Sequence, residues 1–591
     1  MEYSKIAEIL KDSNTAKKKP IYQFFDTKEI DEKKYMEISR DLLEPKEKNE
    51  IAHHNVYQDL EVFTSDNSVF DAINNTNTII GSIKLKELLI NPLTQIKDLN
   101  DRQVILKQII EDNSLYQELL DKLSRLSKLE KSVLWLIKDK TKEEQRIIDM
   151  VYFKTSYLKM FNDNENTMLI YNYFRIVFSP VYGVISPLLL VILPYLYLHF
   201  FTNMRFSFKM YIKLFKMSIF GTPNENMFGH TAPKWSRYFS AVMTIFMYCQ
   251  NIYSSYEISK NTNEIINEIH KKLNDLREFI DISNEIYSKT KDLFKDMDYQ
   301  PCFSCIKNSA FKSTPSIFSN KGKILVSYRK VIKNKNDIKS LLKYIGNVDS
   351  FMSITTLFKN NKEHYCLATY DNNSNPNLVV NDLWHCCLDN KTVIKNNITM
   401  GNSVQPNNIL ITGPNAGGKS TFIKSLTISV LLAQTLCISN CSYINLTPFS
   451  IINTYLNIPD CKGKESLFEA EMHRARDHIN ILKSLDKDKF GFVVMDEIFS
   501  STNPEEGISG GYAIAEKLSE YSNSIACITT HFSYLTNLEK NGRFKNYKIP
   551  ITRDEDNNIV YPYKVKEGKS TQFIALELLK KKGFDESLVT R

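Results

Sequence analysis

The sequence lacks an apolar leader: its first residues, MEYSKIAEILKDSN, are polar. Its ten cysteines are scattered along the chain. Reduced thiols in an intracellular protein are therefore the expectation. No zinc is expected, because Cys302-x-x-Cys305 has zinc-like spacing but no second pair to match it. Nor is one sign of charge in large excess, with 76 Lys and Arg against 68 Asp and Glu, a net +8. That balance suits nucleic acid or anionic lipid and decides between neither. At 591 residues the chain has room for roughly three or four domains with ample core.

The sharpest absence is local. Ile176–Met204, IVFSPVYGVISPLLLVILPYLYLHFFTNM, contains no Asp, Glu, Lys or Arg. It exceeds the ~20 apolar residues that a spanning helix needs. A second uncharged run, Tyr238–Tyr256, is more polar but also long enough. Between them, RFSFKMYIKLFKMSIF sets Lys209, Lys213 and Lys216 on one helical face, as in an interfacial helix. A membrane hairpin over 176–256 is the expectation, with a buried apolar helical insert as its alternative. Pro180, Pro187 and Pro194 interrupt the first run, which membrane helices tolerate better than soluble ones. Arg205, Lys234 and Arg237 add to the basic linker, so the positive-inside rule favours a re-entrant hairpin with that linker on the cytosolic face. Beyond it, Ile258, Ile265, Ile269, Leu273, Leu276 and Ile280 mark a long amphipathic helix.

What is present is concentrated after residue 400. Asn408–Thr412 is an apolar run suited to a buried parallel strand, and Thr421–Leu436 has the apolar density of a packed helix. Between them Gly413, Pro414, Asn415, Ala416, Gly417, Gly418, Lys419 and Ser420 fit G-x-x-x-x-G-K-[ST], with Thr421 next. Such a loop turns its backbone N–H groups onto phosphate oxygens at a helix N-terminus. Lys419 would reach the β/γ-phosphates of ATP and Ser420 the Mg²⁺. Phe490–Met495 is a second apolar run and ends in Asp496-Glu497. There Asp496 would hold Mg²⁺ through water and Glu497 polarise the attacking water. A third strand, Ser524–Thr530, ends in His531, placed to sense the γ-phosphate or to serve structure alone. Phe468, Met472, Ala475, Ile479 and Leu482 recur at helical spacing, which puts Ser466 near a helix start. It can face a phosphate there or be an ordinary N-cap.

GPNAGGKST, ESLFEAEM, VVMDEIFSSTNPEEG and ITTHFSYLT, in this order, resemble the ATPase domain of the MutS mismatch-repair family. Residues 76–113, together with IKSLLKYIGNVDSFMSITTLF and NLVVNDLWHCCL, resemble its helical core and the return into the ATPase. The resemblance covers roughly 67–170 and 257–591. It implies an α/β P-loop NTPase of ABC type after an all-α core and lever domain. The implied division is an extension 1–66, core 67–175, apolar insertion 176–256, returning lever and core 257–380, and ATPase 381–591.

The implied assembly is a dimer, most simply a homodimer, in which Ser466 of one subunit approaches the γ-phosphate held by Lys419 of the other. YKVKEGKSTQFIALELLKKKGF resembles the family's dimer-stabilising C-terminal segment. Adenine would lie near TVIKNN, where Val393 stands in place of a common aromatic and stacking is weaker or different. The implied function is an ATP-hydrolysing clamp on double-stranded DNA, related to mismatch repair. The alternative is a membrane-tethered mechanical ATPase with little mismatch recognition. A generic ABC cassette fits less well, because ESLFEAEM stands where those proteins carry a glycine-rich signature. Residues 1–66 are too few for the mismatch-reading and connector domains, each ~100 residues. YQFFDTKE is the nearest text to the reader's Phe-x-Glu wedge and lacks its context.

Overall fold

A computed structural model describes residues 20–27, 51–64, 66–202, 207–220, 234–295, 320–389, 391–401, 405–456, 466–555 and 558–571. Cys302, Cys305, Arg205 and most of the C-terminal segment lie outside the described residues. The chain divides into two compact units, 1–39 with 128–285 and 299–341, and 40–127 with 286–298 and 342–591.

The second unit is built on a six-stranded sheet: β1 Asn408–Thr412, β2 Ile451–Tyr455, β3 Gly491–Met495, β4 Ser524–Thr530, β5 Phe544–Lys548 and β6 Lys566–Glu567. Its spatial order is β6-β5-β1-β4-β3-β2. All neighbours run parallel except β6 against β5. Every residue of β1, β3 and β4 is buried. This is why the three read as continuous apolar runs rather than alternating ones, since a parallel sheet is covered on both faces. Helices α1 Lys419–Leu436, α2 Leu467–Ser484 and α3 Pro504–Leu518 follow in sequence. Ala475, Leu482, Ala515 and Leu518 from α2 and α3 close a core with Leu410, Val493, Met495 and Ile528 of the sheet. Register then decides the site. Thr530 pairs with Thr412 and Ile528 with Met495, so Gly413, Asp496 and His531 all leave the sheet at one edge. Open α/β sheets bind ligands at the carboxyl ends of their strands.

Two polar knots tie helices and N-terminal residues into this unit. Asp349 accepts from the backbone N–H of Thr78 (2.7 Å), its hydroxyl (2.7 Å) and the N–H of Asn77 (3.0 Å), at the start of the helix Ile79–Leu89. Ile51 accepts from the N–H of Ile452, and Ala52 bridges β2. Residues 51–59 therefore lie against the six-stranded sheet.

In the first unit, Phe25 is buried and stacks on buried Trp135 with ring centroids 4.8 Å apart. The indole N–H donates to the Phe24 carbonyl at 3.2 Å. Phe25 thus serves as core in YQFFDTKE, not as a free wedge. The 57-residue helix Lys234–Thr290 buries Ile265, Ile269, Leu273, Leu276 and Ile280, the stripe expected from spacing, and leaves Ile258 36% exposed.

Helix Glu165–Tyr173 runs through a π turn, Phe174–Phe178, into the helix Ser179–Phe201. Pro180, Pro187 and Pro194 lie in that helix without ending it, and Pro180, which follows the π turn directly, has no N–H to give the Ile176 carbonyl. Among the described residues only one stretch, Glu165–Leu189, is long and apolar enough to cross a membrane, at mean hydropathy 1.3. The second run, Tyr238–Tyr256, does not qualify beside it, contrary to expectation, because its Ser, Gln, Asn and Tyr residues lower its hydropathy. Only 17% of the first stretch's most apolar window is buried. Ser259 donates to the Ile176 carbonyl (2.6 Å) and Tyr248 to that of Val184 (2.7 Å), so the two runs lie side by side.

Candidate functional site

The loop after β1 begins with geometry that only certain residues permit. Ala416 has φ 61° and Gly418 φ 94°, both left-handed, and a Cβ at Gly413 would stand 2.8 Å from the Ile549 carbonyl oxygen. Gly418 caps α1, so Lys419 and Ser420 open an eighteen-residue helix whose free N–H groups face the loop. Asn415 through Thr421 line a cavity of about 580 Å³.

Lys419 is 4% exposed. Its ammonium donates to the carbonyls of Gly413 (3.0 Å) and Pro414 (3.3 Å) and lies 3.8 Å from Glu497 Oε1. Burial pushes its pKa down, while Glu497 and Asp496 oppose that shift. An ammonium buried in a loop of carbonyl and N–H groups is poised for an anion.

The second strand end supplies the carboxylates. Asp496 accepts a short hydrogen bond from the Thr529 hydroxyl. The Glu497 N–H donates to the Thr529 carbonyl and hydroxyl, each at 3.1 Å. Glu497 itself holds φ 50°, a strained conformation for a non-glycine residue and a feature of functional sites. Its Oε1 lies 2.6 Å from Nε2 of His531. That hydrogen bond holds the Glu497 carboxyl below the usual carboxylate range, with burial opposing and the charges of His531 and Lys419 assisting. His531 and Asp496 stand beside the cavity; Glu497 is on its wall.

Val393 lines the same cavity, with the apolar residues Ile394, Leu383 and Leu388. Three further wall residues escape sequence reasoning, Trp384, His385 and Tyr563, while Asn396 lies within TVIKNN. Tyr563, at φ 51°, comes so near the loop that a Cβ on Gly418 would be 3.0 Å from its ring. Asn396 fixes that segment, donating to the Tyr563 carbonyl (3.1 Å) and accepting from the Val565 N–H (2.8 Å). Trp384 and His385 fall within NLVVNDLWHCCL, a stretch whose text carries no phosphate or base signature. Tyr563 has no spacing rule that links it to a loop so far upstream.

Gly413, Pro414 and His531 adjoin the cavity through Lys419 and Glu497, whereas Ser466 neither lines it nor bonds to a residue that does. It is exposed and caps α2, its hydroxyl accepting from the Glu469 N–H at 3.2 Å. Among the described residues no cluster of three or more His, Cys, Asp or Glu could hold a metal ion. The oxygens of Ser420 and Asp496 are of the hard type that Mg²⁺ takes, usually with several waters retained.

Comparison with known proteins agrees with this architecture. Residues 409–591 match the family model of MutS domain V and residues 52–171 that of MutS domain III. The DNA mismatch repair protein MutS of Thermotoga sp. (strain RQ2) is 30% identical over 199 residues, 34% of this chain and 24% of that protein. Its counterpart in Persephonella marina is 33% identical over 184 residues, 31% of this chain and 20% of that protein. The matched stretch spans about a quarter or less of the length of these relatives.

Proposed function

The chain belongs to the MutS family, and on that premise we propose that it is an ATP-hydrolysing, DNA-binding protein that works as a dimeric clamp. The observation that carries the ATPase is the convergence of three strand ends, bearing Lys419, Asp496-Glu497 and His531, at one edge of the sheet. The chain's part in hydrolysis is electrostatic and positional. Loop N–H groups and the Lys419 ammonium hold the phosphates, with adenine toward the apolar wall at Val393. Ser420 and Asp496 would hold Mg²⁺, which neutralises charge on the phosphate oxygens when bound. Glu497, kept ionised and aimed by His531, accepts the proton of the attacking water. Ser466, absent from the cavity of its own chain, is available to the cavity of a second copy.

DNA contact in this reading is made to phosphates, since the aromatic of YQFFDTKE is buried against Trp135. Binding should then fall steeply with salt and be indifferent to sequence and to mispairs. Filter binding of matched and mismatched duplexes across a salt series, with and without ATP, tests this. A salt-resistant complex with strong mismatch preference would overturn the phosphate-only reading. Loss of ATP turnover is expected in Lys419→Ala; turnover at the parental rate would overturn the ATPase assignment.

A second reading is favoured by one observation. The apolar runs within 176–256 expose large side chains, among them Leu188 61%, Phe200 71%, Val242 63%, Ile245 63% and Met247 65%. Soluble proteins rarely leave so much apolar surface in water. The helix Ser179–Phe201, 23 residues, is about 34 Å long at 1.5 Å per residue, enough for a hydrocarbon core of about 30 Å. It meets its neighbour through Gly183 and Ser255, small residues of the kind that bring membrane helices together. Under this reading the protein is a membrane-tethered MutS-type ATPase.

A further inference from the structure

Outside the nucleotide cavity, the first unit holds a second one, of about 620 Å³. It is walled by Lys138–Lys140 after the helix Asn113–Ile137, by the helix Lys142–Ile148, the turn Ser156–Asp163 and the helix Lys321–Lys333. Seven of its lining side chains are Lys or Arg, against two carboxylates. Four of the cations are matched. Lys138 pairs with Glu144 (2.6 Å), Lys335 with Asp139 (3.3 Å), and Arg329 and Lys333 share Asp163 (2.9 and 3.1 Å).

Lys140, Lys154 and Lys159 remain, and none forms an ion pair with a described carboxylate. Lys140 is fixed in place: its ammonium lies 3.6 Å from the centroid of the Trp135 ring and donates to the Trp135 carbonyl. Burial, then the charge of Lys138, pushes its pKa down to about 6, although Glu144 draws it back up. At such a pKa Lys140 sheds its proton near neutral pH, and an anion bound against it would restore the charged form.

Size narrows the anion. The volume is that of a small-molecule site, roughly 300–1,000 Å³, whereas a duplex follows a charged stripe rather than entering a cavity. Lys154, Lys159 and a Lys140 re-protonated by the bound anion together match the charge of two or more phosphate groups. We propose that this cavity binds a small ligand carrying two or more phosphate groups, either free in solution or as the head group of an anionic lipid. The lipid source has support beside Lys154 and Lys159, where Tyr157 lies between them in sequence and Met160 follows, 74% and 71% exposed. A cationic pocket beside exposed apolar side chains is the arrangement that head group and acyl chain would meet together. The proposal does not rest on the ATPase or DNA readings, which concern other residues.

The test uses the full chain carrying Lys419→Ala, so that the P-loop does not compete for phosphates. In one arm inorganic tripolyphosphate is titrated by calorimetry. In the other, flotation compares phosphatidylcholine vesicles with and without a phosphatidylinositol bisphosphate. Saturable tripolyphosphate binding assigns the free source; an increment only with the bisphosphate lipid assigns the lipid source. Either should weaken at least tenfold in Lys154→Glu/Lys159→Glu and survive in Lys154→Arg/Lys159→Arg. Both positions are exposed and unpaired among the described residues, so thermal melting should be unchanged. Lys140→Gln, made separately, should reproduce the loss. The proposal fails if neither arm binds, or if binding is equal in the charge-reversed variant. It also fails if duplex DNA alone binds and is lost in that variant, since the cations would then belong to a DNA surface.

Discussion

Glu497 and His531, 34 residues apart in sequence, meet with Oε1 and Nε2 at 2.6 Å because β3 and β4 are parallel neighbours in register. This contact sets the ionisation of the residue assigned as base. The imidazole hydrogen bond is the largest cause of Glu497's lowered pKa.

Removing the ring should therefore move a pH profile. In His531→Ala the Glu497 carboxyl rises toward the ordinary carboxylate range. The acid limb of ATP turnover then shifts to higher pH, as steady-state rates across a pH series would reveal. The sign follows from the lowered folded-state pKa. Its contribution to stability is present above the ordinary carboxylate value and is lost as pH falls through the lowered one. Glu497→Gln should still bind nucleotide but turn over ~10²–10⁴-fold more slowly. An unshifted limb in His531→Ala would leave His531 a structural residue.

Complementation between chains addresses Ser466. Lys419→Ala and Ser466→Ala chains, each inactive alone, should regain turnover when mixed, because one cavity per mixed dimer keeps both groups. If the mixture is as inactive as either parent, Ser466 serves only as the cap of α2 that this chain displays.

Asp59 carries a stability prediction. It is buried, lies 2.7 Å from the Arg474 guanidinium, and accepts from the Thr454 hydroxyl (2.7 Å) and the Leu456 N–H (3.2 Å). Asp59→Ala leaves a half-buried guanidinium and a buried N–H without this acceptor, a loss of about 3–5 kcal/mol by analogy with broken buried pairs. Chemical denaturation should show a lower midpoint at unchanged slope. Asp59→Asn, which keeps an acceptor oxygen, should lose less.

Fractionation separates the two readings of the apolar segment. The full chain should pellet with membranes and resist carbonate extraction, and deletion of 176–256 should release it with nucleotide binding retained, since the P-loop and its carboxylates lie after residue 400. A full chain that stays in solution without detergent would remove the tethered reading.

By itself the sequence determined the elements of the proposed nucleotide site. The apolar runs of β1 and β4 and the start of α2 at Ser466 lie where periodicity and capping chemistry place them. The P-loop is equally local: the glycines and Lys419 that make it work are adjacent in the chain, so their spacing carries the chemistry. The uncharged run 176–204 was legible for the same reason, as composition within one segment. Tertiary structure alone decided which strand ends share an edge, because register is a relation between segments. It decided too that Tyr563 leans on Gly418, that Asp59 meets Arg474, and that Lys140, Lys154 and Lys159 face one cavity. Each of these depends on long-range packing, in which the partner's distance along the chain is arbitrary and leaves no period to read. The exposure of the run was likewise undecidable from text, since a buried core helix and a lipid-facing one share the same apolar composition and differ only in what surrounds them.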